Sequence, residues 1–250
     1  MPEALLDIRQ LSKRFGGLVA TDDVSVQISP GEIHAVIGPN GAGKTTLIAQ
    51  LAGDLPPDSG EIMFAGQDIT RLSAAERVSR GLARSFQITN VFREFSALDN
   101  VALAVQASAG HSFQFWRPAR RDPALREPAR ALLAELGMAA RLDVAAGNLS
   151  HSEKRTLEIA MALASKPRLV LLDEPLAGMA PEDSKRMVRT LAALKGKVTI
   201  LLIEHDMDAV FTLADRLTVL VYGRAIATGT PDAIRANEAV QRAYFGDEAE

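Results

Sequence analysis

Apolar and polar residues along the chain follow two alternating patterns, one typical of buried strands and one typical of amphipathic helices. Short apolar runs at residues 33–37, 169–172 and 198–203 have the length of strands that are buried on both faces. Other stretches repeat apolar residues every three or four positions, which predicts helices over residues 181–194 and 207–214. Buried strands that alternate with amphipathic helices predict an α/β fold with a parallel sheet at its centre.

Segments of a different kind flank this core. Residues 4–30 alternate as antiparallel strands do, and a short strand pair follows with its bend at Gly66. Residues 217–228 predict a hairpin near the other end of the chain. Together they predict an antiparallel β subdomain beside a core sheet of mixed direction.

The middle of the chain has a helical pattern, interrupted at residues 110–123. We therefore expect a helical lobe over residues 88–160, inserted into a single domain that spans the whole chain. The core of that domain would comprise residues 1–87 and 161–230. Residues 231–250 would add a C-terminal amphipathic helix.

A glycine-rich segment joins the first apolar run to a helical stretch. Its pattern, G-x-x-x-x-G-K-[ST], is that of a phosphate loop, whose glycines let backbone N–H groups converge on phosphate oxygens. The dipole of the following helix also favours an anion. Lys44 would reach the β- and γ-phosphates, and the Thr45 hydroxyl would ligate Mg²⁺. The predicted nucleotide contacts here are Gly38, Pro39, Asn40, Gly41, Ala42, Gly43, Lys44, Thr45 and Thr46. The segment predicts binding of a nucleoside triphosphate.

Two carboxylates follow the apolar run at residues 169–172. An aspartate at the end of such a strand holds Mg²⁺ in phosphate-loop enzymes, which predicts that role for Asp173. The adjacent Glu174 can orient and deprotonate an attacking water. Without a phosphate loop, the same pair would be an ordinary exit of a buried strand into solvent.

Polar residues that can contact an anion occur at two further places in the sequence. Ser150 and Glu153 form the S-x-x-E pattern of a capping box, which predicts a helix start. The same helix N-terminus can also receive an anion, so both interpretations stand. His205 follows the run at residues 198–203, at the sheet edge where α/β proteins bind ligands. It could contact a γ-phosphate, although an isolated histidine is more often structural.

Composition narrows the classes of function. A net charge of −3 and a pI near 5.9 give no electrostatic argument for binding nucleic acid. The absence of cysteine excludes disulfides, zinc thiolates and thiol nucleophiles, and it fits a reducing cytosol. The sequence shows neither a signal peptide nor an apolar run of ~20 residues. We expect a protein that is soluble when isolated and reaches a membrane only through partners.

Taken in order, these motifs resemble the ATP-binding subunit of an ABC (ATP-binding cassette) transporter over essentially the whole chain. The resemblance implies ATP and Mg²⁺ as ligands, and ATP hydrolysis coupled to transport. It adds Phe15 as the aromatic that stacks on adenine. It also adds Gln87 as the glutamine that senses Mg²⁺, takes part in catalysis and couples to the membrane subunit. Glu174 matches the catalytic carboxylate and His205 the switch histidine. The positions matching the signature helix are Ser150, Ser152 and Glu153.

The resemblance also implies partners. Two cassettes, identical or paralogous, would clamp two ATP molecules, with each phosphate loop facing the signature helix of the other. Permease subunits would dock near residues 88–95. The protein would lie on the cytoplasmic face of the inner (plasma) membrane, with a periplasmic solute-binding protein acting indirectly and no nucleic acid involved.

Four short stretches are similar to the cassettes of branched-chain (hydrophobic) amino-acid uptake systems. They are residues 84–87, 157–160, 173–179 and 203–207. The segment near residues 110–124 resembles the longer of the two cassettes in such systems. Cassettes for urea, amides and other organic solutes share this subtype, so the solute stays open. Two positions depart from the family: Ser152 replaces the second glycine of the signature, and Ala180 replaces the usual aspartate of the D-loop.

Two other classes of protein share parts of the pattern. A soluble P-loop enzyme, such as a GTPase or small-molecule kinase, would leave the signature helix without a role, and the guanine-reading Asn-Lys-x-Asp is absent. Cassettes of DNA repair or translation usually carry tandem cassettes or coiled-coil inserts, and this chain has neither. The alternative to an importer is therefore a non-transport ABC protein or another P-loop ATPase.

Overall fold

The computed structural model describes residues 4–85, 91–108 and 122–245. Some predictions fall outside these ranges in whole or in part. They are Gln87, the start of the docking segment 88–95, most of the segment near residues 110–124, and residues 246–250 of the predicted C-terminal helix.

The first sheet is antiparallel. Its strands are β1 (Leu6–Phe15), β2 (Leu18–Ile28), β4 (Ser59–Phe64) and β5 (Gln67–Asp68), and β3 (Ile33–Ile37) belongs to the second sheet. The order β2-β1-β4-β5 gives the predicted antiparallel subdomain. Alternate residues of β2 are buried from Val24 to Ile28, as the period of a half-buried strand requires. Phe15 is the last residue of β1, and the turn that follows is made by Gly16 and Gly17.

The second sheet has six strands and forms the centre of the molecule. Besides β3 it contains β6 (Leu82–Arg84), β7 (Leu169–Asp173), β8 (Thr199–Ile203), β9 (Arg216–Val221) and β10 (Arg224–Gly229). Their order is β10-β9-β3-β8-β7-β6, and only the β9–β10 pair is antiparallel among these strands. Every residue of β3, β7 and β8 is buried, which explains why these strands are mostly apolar in the sequence; their polar residues are His34, Asp173 and Thr199.

Helices cover both faces of the central sheet, and three of them form a subdomain beside it. They are α1 (Lys44–Ala52), α2 (Ala74–Ser79), α3 (Ala97–Ser108), α4 (Pro123–Glu135), α5 (His151–Ala164), α6 (Pro181–Ala192), α7 (Met207–Leu213), α8 (Pro231–Arg235) and α9 (Glu238–Phe245), with one-turn 3₁₀ helices at Ala139–Arg141 and Ala146–Asn148. α3, α4 and α5 pack on one another through buried residues such as Val101, Leu133 and Leu157. This group is the predicted inserted helical subdomain.

The α/β fold with a mixed sheet, an antiparallel β subdomain and an inserted helical subdomain is confirmed. α5 runs on to Ala164, across the boundary expected at residue 160, and the division of the chain into core and lobe stays a prediction. The expectation of one C-terminal helix is wrong. Two helices form there because the Asn237 side chain accepts the N–H groups of Ala239 (2.9 Å) and Val240 (3.2 Å), and so begins a new helix.

Candidate functional site

The glycine-rich loop connects the end of β3 to the start of α1. A Cβ on Gly43 would lie 2.1 Å from the carbonyl oxygen of Ala20, and one on Gly38 would lie 2.2 Å from that of Leu220. Gly43 also has a φ of 98°, so a side chain at this position would meet both strain and a clash. The first N–H groups of α1 have no intrahelical partner, and no side chain caps them. The loop therefore offers the backbone donors that phosphate oxygens require.

Lys44 lies buried within this loop. Its Nζ donates to the carbonyl oxygens of Gly38 (2.7 Å) and Pro39 (3.0 Å). Burial lowers the pKa of Lys44, while the nearby carboxylates of Glu174 and Asp173 oppose that shift. The lysine and the two predicted acidic residues are therefore near enough to influence one another electrostatically.

The other loop residues differ in exposure. Asn40, Gly41 and Thr45 are exposed, Thr46 is half-buried, and Ala42 is buried in the core under the loop. The Thr45 hydroxyl is thus on the first turn of α1 and open to a ligand, as a metal-binding hydroxyl must be.

Three predicted motifs leave the central sheet at one edge. β3, β8 and β7 are parallel neighbours, and Ile203 on β8 is in register with Val36 on β3 and with Asp173 on β7. The phosphate loop, His205 and Glu174 each follow one of these strand ends. Because carboxyl ends of parallel strands share an edge, the fold gathers motifs that are far apart in sequence.

Asp173 ends β7 and is 2% exposed. Its Oδ2 accepts a hydrogen bond from Arg84 Nη2 at 3.3 Å, and Arg84 also pairs with Asp54. Burial raises the pKa of Asp173, Arg84 lowers it, and the charge of Glu174 raises it further. The carboxylate is held in a fixed orientation toward the edge of the sheet.

Glu174 and His205 are less buried than Asp173. Glu174 has a φ of 48°, a conformation uncommon for a residue with a side chain, and its N–H donates to the Ile203 carbonyl oxygen at 2.9 Å. The His205 side chain is 66% exposed. Both side chains are therefore accessible from the edge where the phosphate loop lies.

The residues present fit a magnesium ion that is bound together with phosphate. In the described part of the chain, no three His, Cys, Asp or Glu side chains cluster as a metal site. Mg²⁺ does not need such a cluster, since it takes one or two protein oxygens and completes its shell with water and phosphate oxygens. Asp173 and Thr45 supply oxygens of this kind. The predicted third contributor, Gln87, lies outside the described residues.

Phe15 lies on the hairpin beside the phosphate loop. Its side chain is half exposed, and Lys13 Nζ lies 5.8 Å from the ring centre. The hairpin partner β2 reaches the loop through Ala20, whose carbonyl oxygen faces Gly43. An exposed ring at this place is available for stacking on a base, and the stacking itself stays a prediction.

The signature positions form the N-terminus of α5. Ser150 is the N-cap, and the predicted capping box is present: Ser150 Oγ accepts the Glu153 N–H (3.2 Å), and Glu153 accepts the Ser150 N–H (2.9 Å). Glu153 also pairs with Arg141 at 2.7 Å. The hydroxyl of Ser152 lies 3.1 Å from that of Ser150, so the substituted residue adds a second hydroxyl to the helix end.

The signature positions have their own hydrogen-bond partners. No hydrogen bond or ion pair in the described residues joins Ser150, Ser152 or Glu153 to the loop around Lys44. α5 instead contacts the segment after Glu174 through a 3.2 Å contact between His151 Nε2 and the Ala177 carbonyl oxygen.

Sequence reasoning missed Arg84 as a residue of the site. In the sequence, Arg84 was noted only as part of the stretch at residues 84–87 that is similar to known cassettes. In the structure, its guanidinium donates a hydrogen bond to Asp173. The available signal was a single cation that follows the apolar residues Leu82 and Ala83. Its use depended on knowing that β6 lies next to β7, and the sequence order does not reveal this.

An apolar groove of about 670 Å³ lies between the central sheet and the helical subdomain. It is lined by α2, the end of β6, α3 and α5, with mostly small and apolar side chains. Its polar members include Arg84 and Glu158. The groove lies next to the strand that leads toward Gln87, and it is distinct from the phosphate loop.

Sequence comparison places the chain among known proteins. A family model described as ABC transporter matches residues 21–177. This chain belongs to the ABC transporter family. A second model, described as branched-chain amino acid ATP-binding cassette transporter, matches residues 226–250 of the cassette. Members of the family are ATPases coupled to transport; their ATP-binding subunits work as dimers with permease components and associate peripherally with the membrane.

Curated relatives cover the cassette almost completely. The high-affinity branched-chain amino acid transport ATP-binding proteins BraF of Pseudomonas aeruginosa and LivG of Escherichia coli K12 are 35% and 36% identical over 99% of the cassette and 100% of their own length. The lipopolysaccharide export system ATP-binding protein LptB of Acidithiobacillus ferridurans is 37% identical over 98% of both chains.

Solved structures agree with this assignment. A nucleotide-free ATP-binding cassette from an ABC transporter has a TM-score of 0.84 at 30% identity, covering 98% of the cassette and 100% of that chain. A second transporter cassette, in its ADP conformation, has a TM-score of 0.85 at 31% identity, with 98% and 99% covered. Across residues 4–85, 91–108 and 122–245, no helix combines the length and apolar character needed to cross a membrane.

Proposed function

We propose that the cassette binds and hydrolyses ATP to power an importer of branched-chain amino acids or a related small organic solute. The observation that carries this proposal is the convergence of the phosphate loop, Asp173, Glu174 and His205 at adjacent ends of parallel strands. Lys44 interacts electrostatically with both acidic residues, which supports one shared site.

In this proposal the phosphate loop binds and orients the triphosphate. Lys44 and the N–H groups of α1 contact the phosphate oxygens, while Phe15 stacks on the adenine. Asp173, Thr45 and Gln87 would hold Mg²⁺, which neutralises phosphate charge when bound. Arg84 keeps the buried Asp173 carboxylate oriented toward that position.

Hydrolysis would depend on two accessible side chains. Glu174 takes a proton from the attacking water, since a carboxylate within reach of the water can act as a general base. His205, at the neighbouring strand end, stabilises charge that develops on the γ-phosphate. Gln87 would contribute to orienting the water and the metal.

The complete site would be composite. Ser150, Ser152 and Glu153 at the N-terminus of α5 would serve the phosphate loop of a second cassette, identical or paralogous. The exposed hydroxyl of Ser150, the half-buried hydroxyl of Ser152 and the N–H groups of the first turn suit a γ-phosphate. The absence of a contact between these residues and the cassette's own Lys44, in the described part of the chain, supports this arrangement.

Permease docking would use the apolar groove and the adjoining segment of residues 88–95. In the described part of that segment, Phe92 is 57% exposed. Its backbone is fixed by the Asn100 side chain, which accepts the Phe92 N–H (2.8 Å) and donates to its carbonyl oxygen (3.1 Å). An exposed aromatic on a rigid backbone is typical of an interface anchor. A solute-binding protein would act through the permeases.

Replacing the proposed base tests the catalytic assignment. The Glu174→Gln variant should retain ATP affinity, because the phosphate loop is unchanged, and lose turnover by about 10²-fold or more. Glu182→Gln, an exposed carboxylate on α6, is the matched control and should hydrolyse ATP normally. Equilibrium binding of ATP and GTP and steady-state phosphate release are the measurements. Normal turnover of Glu174→Gln, or a clear preference for GTP, would contradict the proposal.

Export of lipopolysaccharide is the second candidate, because a relative in that system is 37% identical. The match of residues 226–250 to the amino-acid transporter model favours import. Deleting the gene for the cassette in its host should abolish high-affinity uptake of radiolabelled leucine, isoleucine or valine. Unchanged uptake together with altered surface lipopolysaccharide would favour export, and ATPase activity independent of any permease would favour a non-transport role.

A further inference from the structure

Glu204 is a buried carboxylate that the proposed mechanism does not use. It follows β8 directly and is 1% exposed. A carboxylate in such a place is costly unless hydrogen bonds satisfy its oxygens. Its contacts therefore indicate what holds it there.

Both carboxylate oxygens accept backbone N–H groups, and these groups belong to two different loops. Oε1 accepts the Leu176 N–H at 2.7 Å, and Oε2 accepts the His205 N–H at 3.1 Å. The Asp206 N–H also bonds to the carboxylate. Burial raises the pKa of Glu204, and these backbone hydrogen bonds oppose the shift.

The contacts of Glu204 bear on the conformation of Glu174. The Glu174 N–H donates to the Ile203 carbonyl oxygen at 2.9 Å, and two residues later the Leu176 N–H donates to Glu204. Glu174, with its φ of 48°, is thus attached to the end of β8 through its own N–H and through the N–H of Leu176. On the β8 side, His205 directly follows Glu204.

The same segment has an attachment on its other side. We call residues 175–180 the linking loop, because they join Glu174 to α6. His151, on the signature helix, contacts the Ala177 carbonyl oxygen at 3.2 Å. The linking loop is therefore held at two points. Glu204 attaches it to the strand end that leads to His205, and His151 attaches it to the helix that would serve a partner.

We propose that Glu204 is a positioning residue for ATP hydrolysis, which fixes Glu174 and His205 relative to each other by joining their two loops. The inference rests on the function proposed above. Glutamate suits the role because all of its lone pairs accept, whereas glutamine would turn an NH₂ group toward one of the N–H donors. Capping of α7 does not require Glu204, since the Asp206 side chain accepts the Ala209 N–H at 3.1 Å.

The Glu204→Gln variant tests the proposal on the full chain. We expect amide exchange to accelerate selectively at Leu176 or His205, by about ten-fold or more, because one hydrogen bond is lost. Turnover should fall by about ten-fold or more while the affinity for ATP changes by less than about two-fold, since the phosphate loop is not touched. NMR-detected hydrogen exchange needs no nucleotide, and phosphate release with ATP titration gives the kinetic split.

Glu32→Gln is the matched control. Glu32 is also a buried glutamate next to a core strand, accepts a backbone N–H from Ser29 (2.9 Å) and contacts His34. It differs because it directly precedes β3, at the opposite edge of the sheet. It should lower stability without changing turnover or the exchange of Leu176 and His205. Glu204→Ala, which removes both attachments, should exceed the loss of turnover in Glu204→Gln.

Three outcomes would overturn the proposal. Unchanged exchange at both amides of Glu204→Gln would show that Glu204 does not hold the two loops. Unchanged turnover of that variant would show that the hydrogen bonds have no role in hydrolysis. An equal loss of turnover in Glu32→Gln would show that the effect comes from lowered stability alone. A wild-type chain that binds no ATP would instead contradict the proposed function, and the exchange measurement would still decide whether Glu204 joins the two loops.

Discussion

Ser152 alters the signature helix by one side chain. A side chain at this position, where the family usually has glycine, could crowd an approaching phosphate. The structure adds that its hydroxyl lies 3.1 Å from the Ser150 hydroxyl, so it can also donate or accept at the helix end. The two effects have opposite consequences for hydrolysis.

Two substitutions at Ser152 separate crowding from hydrogen bonding. Ser152→Gly should preserve or raise turnover if crowding dominates, at a stability cost of up to about 1 kcal/mol for glycine in a helix. Ser152→Ala keeps the Cβ without the hydroxyl, and it should behave like the wild type. Steady-state ATPase rates and urea unfolding are the measurements. A large loss of turnover in both variants would instead make the hydroxyl a functional group.

α6 shows how the second departure from the family acts on a whole element. Ala180 occupies the N-cap position with an extended backbone, φ −67° and ψ 154°, and it has no side chain to accept the first N–H groups. An aspartate there would cap the helix. The missing D-loop residue is therefore also a missing helix cap.

Ala180→Asp should stabilise the cassette by about 1 kcal/mol, because aspartate is among the best N-cap residues and favours the positive end of the helix dipole. The urea midpoint of unfolding is the measurement. Ala192→Asp, an exposed position at the other end of α6, is the matched control and should destabilise through the opposite end of the dipole. A loss of stability in Ala180→Asp would contradict this account.

Elements defined by local chemistry could be predicted, and contacts between elements could not. The capping box of Ser150 and the phosphate loop depend on residues a few positions apart, so the sequence displays them. The Arg84–Asp173 pair and the contacts of Glu204 depend on the order of strands β6, β7 and β8, which comes from packing. The break at Asn237 was missed because apolar spacing continues across it, while the cap that starts the new helix is a single polar side chain.

At the scale of the whole molecule, the buried carboxyl of Glu32 makes stability depend on pH. Although burial raises the pKa of Glu32, hydrogen bonds from His34 and the Ser29 N–H outweigh this and lower it below its usual value. A carboxyl with a lowered folded-state pKa adds stability that is complete above about pH 4.3 and is lost as the pH falls through the folded value. Glu32→Gln should therefore unfold with a weaker dependence on pH below about 4.3. Urea unfolding as a function of pH is the measurement, and an unchanged acid dependence would contradict this role.

At the scale of the assembly, the proposed composite site predicts that two inactive variants restore each other. Lys44→Ala disables the phosphate loop. Ser150→Asp keeps the N-cap of α5 but sets a negative charge where the partner's γ-phosphate would bind.

Each variant alone should be inactive, because both sites of its dimer carry the defect. In a mixed dimer, one site combines the intact loop of one chain with the intact signature of the other. Random pairing makes half the dimers mixed, so a 1:1 mixture should recover at most roughly a quarter of the wild-type rate. Folded variants that recover nothing on mixing would contradict a site shared by two copies of this chain, and an active Ser150→Asp variant would contradict the role of the signature helix.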